Sequence, residues 1–132
     1  MKFLKRIFGI SETQPPSDDA CWEYADQEIR LDLNRARELD RPGSAVRLEG
    51  KGLPVRTLVV HGRDGTFHAL ANRCTHMGRR IDLLAGTDRL ECCSVSKSTF
   101  TYNGEPMGGA ARKHLRTFSV TASGNTLTIS LG

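Results

Sequence analysis

The stretch LVVHGRDGTFHALANRCTHMG, residues 58–78, decides how this chain folds. It opens on an apolar run, turns at Asp64-Gly65, and resumes with the short segment 66–70. Asp-Gly between two such runs is a hairpin signal, because glycine takes the positive φ that a tight two-residue turn requires. The hairpin then gives way to residues 72–80, which keep no strand alternation and hold Cys74-Thr75-His76. A loop presenting a thiol and an imidazole between strands is where binding chemistry tends to sit.

The same rhythm continues on both sides. Turn signals at Pro42-Gly43, Asn103-Gly104 and Gly124-Asn125 separate short apolar or alternating runs. The pattern predicts strands over 45–48, 57–61, 66–70, 89–92, 100–102, 116–121 and 126–131. In the last of these Leu127, Ile129 and Leu131 alternate with Thr126, Thr128 and Ser130, as a half-buried strand requires. Residues 33–39 are the one helical candidate, a turn or two stopped by Pro42-Gly43. The expected fold class is all-β. A second loop, 93–99, breaks the strand pattern as 72–80 does, and it too contains cysteine.

A chain of 132 residues, 38% of them apolar, has room for one domain with a modest core. Residues 11–20 are polar and contain Pro15-Pro16, which reads as an extended linker. The expected organisation is a basic and apolar N-terminal segment with its linker over 1–20, then a folded domain over 21–132. The net charge of +4 is spread along the sequence rather than gathered into one tract, and no nucleic-acid partner is expected from it. Lys2, Lys5 and Arg6 stand among Phe3, Leu4, Ile7, Phe8 and Ile10. A helix through 2–10 could lie on a membrane surface or dock on a partner, and a frayed start is an equal reading. Charge interrupts this apolar run and no small-residue cleavage site follows, so it is not read as a secretory signal. No apolar stretch is long enough to span a bilayer.

Four cysteines are unevenly placed: Cys21 alone, Cys74 in mid-chain, and Cys92 beside Cys93. Neighbours on a strand point to opposite faces and rarely pair, so this is not a disulfide scaffold. A cytoplasmic setting with metal chemistry fits the cysteine usage better, with peripheral membrane contact through residues 1–10 as its variant.

Cys74-Thr75-His76 is followed, after sixteen residues, by Cys93-Ser94-Val95-Ser96. The pair of loops resembles the Rieske iron–sulfur family, whose pattern is C-x-H, a spacer of similar length, then C-x-x-H. The likeness extends from about residue 28 to residue 131. Residues 58–78 are similar almost throughout to the family's hairpin and first cluster loop. Phe100 stands where an aromatic follows the second loop, Asn103-Gly104-Glu105-Pro106 resembles the next turn, and residues 32–48 look like the lead into the fold. The resemblance implies a Rieske-type β-sandwich with a small cluster-binding subdomain made of two hairpin loops. It also implies a [2Fe–2S] cluster with thiolates on one iron and imidazoles on the other, and therefore electron transfer. Carried over by position, it makes Cys74, His76 and Cys93 ligands and puts Ser96 at the fourth place. Respiratory members carry an inter-loop disulfide at the positions of Arg79 and Val95, so the likeness is to the soluble ferredoxin or oxygenase-component branch.

The second loop departs from the family. Ser94, Val95, Ser96 and Lys97 replace the usual proline, aromatic residue, histidine and glycine. A serine must ionise to bind iron well, since ligands bind deprotonated. Cys92 could supply a third thiolate if the loop rearranged, and His114 an imidazole if residues 108–114 fold back over the loops. Against any metal role, Cys21 and Cys92 read as small buried hydrophobes and His61 and His68 as hairpin residues.

Three functions follow. The first is a Rieske-type electron carrier, or electron-transfer subunit of an oxidoreductase, with a redox partner protein and a non-standard fourth ligand. The second is a degenerate Rieske-fold interaction or non-catalytic subunit without the cluster. The third is a mononuclear zinc or iron site built from Cys74, His76, Cys93 and Cys92. A free-standing enzyme is not expected, because no nucleophile–base pair, phosphate loop or second iron motif is present.

Overall fold

The computed structural model describes residues 12–75, 78–93 and 97–132. The N-terminal head, including the expected helix over 2–10, lies outside the described residues. Within them the chain is all-β, with strands β1 (Trp22–Ala25), β2 (Glu28–Asp32), β3 (Ser44–Leu48), β4 (Thr57–His61), β5 (Phe67–Ala71), β6 (Ile81–Leu83), β7 (Arg89–Cys92), β8 (Thr99–Thr101), β9 (Pro106–Gly108), β10 (Thr117–Ser123) and β11 (Thr126–Ser130). Seven of these form one sheet, ordered β1-β2-β11-β10-β5-β4-β3, and β6-β7-β8-β9 form a second. Every pairing is antiparallel. No helix among the described residues is long and apolar enough to cross a membrane.

Two apolar cores result, and the β4–β5 hairpin belongs to both. Val59 and Ala69 join Trp22, Ile29, Leu31, Val46, Leu127 and Ile129 in the core of the large sheet. Leu58, Val60 and Leu70 point the other way, against Ile81, Leu90, Cys92, Phe100 and Leu115. A strand buried on both faces needs apolar residues at successive positions, which is why residues 58–60 show no alternation.

The β1–β2 hairpin carries no glycine signal. Asp26 and Gln27 make its two-residue turn with φ of 54° and 63°, so side chains occupy a conformation usually marked by Gly or Asn. β6 and β9 are three residues each, too short to show a period. Residues 33–39 contain only the 3-10 turn Arg37–Leu39, since a segment of this length cannot offset the cost of helix nucleation.

The segment read as a linker is extended, and it is pinned at several points. The amides of Glu12 and Thr13 donate to the Asp82 carboxylate, both at 2.9 Å. The Arg47 side chain donates to the Thr13 carbonyl at 2.9 Å, and Ser17 N–H donates to Glu38. This arm therefore runs from β6 of the small sheet to β3 of the large one.

Candidate metal centre

Cys74 follows β5 and Cys93 follows β7, and consecutive carbonyls hold both residues. The Cys74 N–H donates to the Arg79 carbonyl at 2.7 Å, and the Cys93 N–H donates to the Arg80 carbonyl at 3.0 Å. The first loop closes on itself, with Gly78 N–H on the Cys74 carbonyl at 2.7 Å. Asn72 anchors its base: the carboxamide oxygen accepts from Ile81 N–H at 2.6 Å, while the buried Nδ2 finds no hydrogen-bond partner among the described residues. Both thiol residues are buried, Cys74 to 1% exposure and Cys93 to 3%.

Three charged side chains brace this arrangement from the large sheet. The guanidinium of Arg56, just before β4, donates to the Asn72 carbonyl at 3.1 and 2.9 Å and to the Gly78 carbonyl at 3.0 Å, gripping the first loop on either side of Cys74. Burial, then the neighbouring positive Arg80, pushes the Arg56 pKa down. Glu49, just past β3, takes a two-pronged bond from Arg80 at 2.7 and 2.8 Å and a third from Arg47 at 3.1 Å. The Arg80 bond holds the Glu49 carboxyl at about 2, against the desolvation that would raise it. The Cys93 thiol is pushed up by burial and then by Cys92 and Asp82, while hydrogen bonding from the Arg80 backbone opposes the shift.

The segment after β9 folds back over the loops. Gly109, at φ of 80°, packs so closely that an added Cβ would sit 2.5 Å from Ser98 Cα. Ala111 N–H donates to Ser98 Oγ at 3.0 Å, and Thr75 Oγ1 donates to the Lys113 carbonyl at 2.8 Å. His114 follows directly and is exposed.

The sequence-derived site residues thus separate into groups. Cys74 and Cys93 are brought to one end of the small sheet, while His76 and Ser96 lie outside the described residues. Cys92 lies in the small core at 0% exposure, and Cys21 lies in the large core. No cluster of three His, Cys, Asp or Glu side chains occurs among the described residues. Two buried thiols, one from each loop and each fixed by a backbone bond, fit the thiolate half of a two-iron site, because the donors need no further loss of chain entropy to present themselves. Arg56, Glu49 and Arg80 were not singled out from the sequence. Their contacts bridge separations such as the 31 residues between Arg80 and Glu49, and no local period encodes such a pair.

The family described as the Rieske [2Fe–2S] domain matches residues 30–119. In fold the chain is similar to a chain in the complex of reduced oxygenase and oxidized ferredoxin in carbazole 1,9a-dioxygenase. That pair has a TM-score of 0.65 and 20% identity, with 80% of this chain and 94% of that one covered. The ferredoxin of carbazole 1,9a-dioxygenase from Nocardioides aromaticivorans IC177 gives a TM-score of 0.61 at 18% identity, covering 78% and 98%. The plasma membrane Rieske protein PetC3 from Synechocystis PCC 6803 gives 0.54 at 25% identity, covering 64% and 85%. No curated protein sequence matches the chain.

Proposed function

The chain belongs to the Rieske [2Fe–2S] domain family, and from that membership we propose that it is an electron carrier, or the electron-transfer subunit of an oxidoreductase, with Cys74, His76 and Cys93 as cluster ligands. The observation that carries this reading is the pair of buried thiol residues held by the adjacent Arg79 and Arg80 carbonyls. The cluster would supply one-electron transfer. The protein's own part is to hold Cys74 and Cys93 in place. Arg56 grips the first loop, the Glu49–Arg80 pair supports the backbone that both cysteines bond to, and Gly109 and Ala111 pack on Ser98.

For the fourth position we propose Ser96, bound as an alkoxide, which would lower the potential relative to a neutral imidazole. Of the two substitutes, His114 is favoured over Cys92. It lies in the exposed segment that already bonds Thr75, whereas freeing Cys92 would break its 2.8 Å amide bond to the Ser98 carbonyl and open the small core. The same position argues against a mononuclear site that uses Cys92.

A ligand series tests the assignment. Cys74→Ser and Cys93→Ser should each abolish the visible absorption of the purified protein, and Cys21→Ser should leave it intact. Ser96→Ala, His114→Ala and Cys92→Ala then identify the fourth ligand, since only its loss shifts the spectrum. Retention of the native spectrum in Cys93→Ser would overturn the assignment. The cluster-free reading is favoured by the run of departures from Ser94 to Lys97. It predicts a folded, colourless protein in every member of the series.

A further inference from the structure

The positive charge that looks dispersed along the sequence is concentrated by the fold. The described parts of three segments meet at the thiol-bearing end, residues 72–75 and 78–80, residues 93 and 97–99, and residues 108–118, and together they carry seven Lys or Arg and no Asp or Glu. Arg73, Lys97, Arg112 and Lys113 are all exposed. Contacts join them into one rim. The Arg73 guanidinium lies over Gly78, 3.4 Å from where a Cβ there would stand. The Lys113 carbonyl accepts from Thr75 Oγ1 at 2.8 Å. Arg112 donates to the Gly109 carbonyl at 2.9 Å, and Gly109 packs on Ser98, the neighbour of Lys97.

Elsewhere five cations are matched, Arg30 with Glu28, Arg35 with Asp18, Arg37 with Asp40, Lys51 with Asp19 and Arg89 with Asp88, while Arg41 and Arg63 are exposed singly, outside the three segments of the rim. Among the described residues, no carboxylate is recorded within ion-pair distance of the four rim cations. Like charges held together without counter-charge destabilise the compact state, and an opposite surface brought against them relieves that repulsion. Among the described residues the four rim side chains are all Lys or Arg, and Met107, in the adjoining β9, is the one exposed large apolar side chain; a lone methionine is a small apolar contact for lipid and no aromatic platform for bases.

We propose that this rim docks the acidic face of a redox partner protein, placing the partner over the two cysteine loops. The inference rests on the electron-carrier reading, and it adds the partner's chemistry and the residues that meet it. A rigid cationic rim steers an acidic surface at long range and fixes its orientation, and both effects weaken with salt.

The test uses the full chain with a plant-type ferredoxin as acidic probe, a basic cytochrome as control, and anionic vesicles and duplex DNA as competing surfaces. Binding to the acidic probe should weaken about tenfold or more between about 20 and about 200 mM salt. It should be lost in the variant carrying Arg73→Gln, Lys97→Gln, Arg112→Gln and Lys113→Gln, and be retained in a control carrying Arg30→Gln and Arg37→Gln. Equal weakening by the two variants would overturn the proposal. So would a rim variant that loses vesicle or DNA binding while keeping the acidic protein. Iron content measured on the same samples separates the two claims. A chain that holds iron and ignores the acidic probe overturns the docking alone, and an iron-free chain that binds through the rim overturns the carrier reading alone.

Discussion

At the scale of single residues, the second loop keeps a glycine-like backbone without the glycine. Lys97 stands where the family commonly has glycine, and its φ is 52°. A side chain there crowds its own carbonyl, so Lys97→Gly should raise stability by about 0.5–1 kcal/mol, after the entropy that glycine gains when unfolded is subtracted. Chemical denaturation measures this, and an unchanged or lower midpoint would contradict it. Glu49 makes the second residue-scale prediction. Its carboxyl titrates at about 2 in the fold, against 4.5 for the ordinary group. A depressed folded pKa contributes stability that is fully present above the unfolded value and is lost as pH falls through the folded one. Stability should therefore drop between pH 4.5 and about 2, by about 2 kcal/mol from this group after allowance for its partial exposure. Glu49→Gln should flatten that limb in a pH series of unfolding curves, and an unaltered limb would contradict the assignment. Cys74 and Cys93 could be picked out from the sequence because the resemblance to the Rieske loops carries them, Cys74 within the matching stretch 58–78 and Cys93 by its register with the second loop. Glu49 could not, because its partner Arg80 is distant in the chain and the charge of either alone is unremarked.

At the scale of elements, the large sheet holds the first cysteine loop at Asn72 and Gly78. Arg56 bonds two carbonyls, before and after Cys74, with one planar group. Arg56→Ala should speed exchange of the Cys74 and Gly78 amides and cost about 2–3 kcal/mol, since charged hydrogen bonds are lost and buried acceptors are left bare. Arg56→Lys should recover little of this, because a single ammonium cannot span the fork. Amide exchange followed by NMR would check both, and protection preserved in Arg56→Ala would contradict the clamp. The covering segment depends on Gly109 in a comparable way. Gly109→Ala combines positive φ with a Cβ at 2.5 Å from Ser98 Cα, and should cost more than about 2 kcal/mol in a denaturation curve. Elements with a strong local signal were legible: β4 and β7 fall where the sequence put them, and β5, β10 and β11 within a residue or two. β1 and β2 escaped because Asp26-Gln27 carries no turn signal, and β6 and β9 because three residues show no period.

At the scale of the whole molecule, two cores share one hairpin, so the subdomains should not unfold separately. Leu58→Ala in the small core and Val59→Ala in the large one should each cost about 2–4 kcal/mol and shift a single transition. Two resolved transitions would contradict the shared-hairpin account. The arm at residues 12–17 ties the same two parts from outside, although its composition read as a linker. Charge shows most clearly what one dimension conceals. Arg73, Lys97 and Lys113 are far apart in sequence, and only the return of residues 109–113 over the loops makes them neighbours. The all-β class and the paired loops were legible because a resemblance spread over about a hundred residues does not depend on any one ligand. The electron-carrier reading does depend on the ligands, and its most direct test is the iron and acid-labile sulfide content of protein purified without oxygen, read beside its visible spectrum. The account predicts about two irons and two sulfides per chain with a charge-transfer spectrum bleached by one electron, and a folded, colourless, iron-free protein would contradict it.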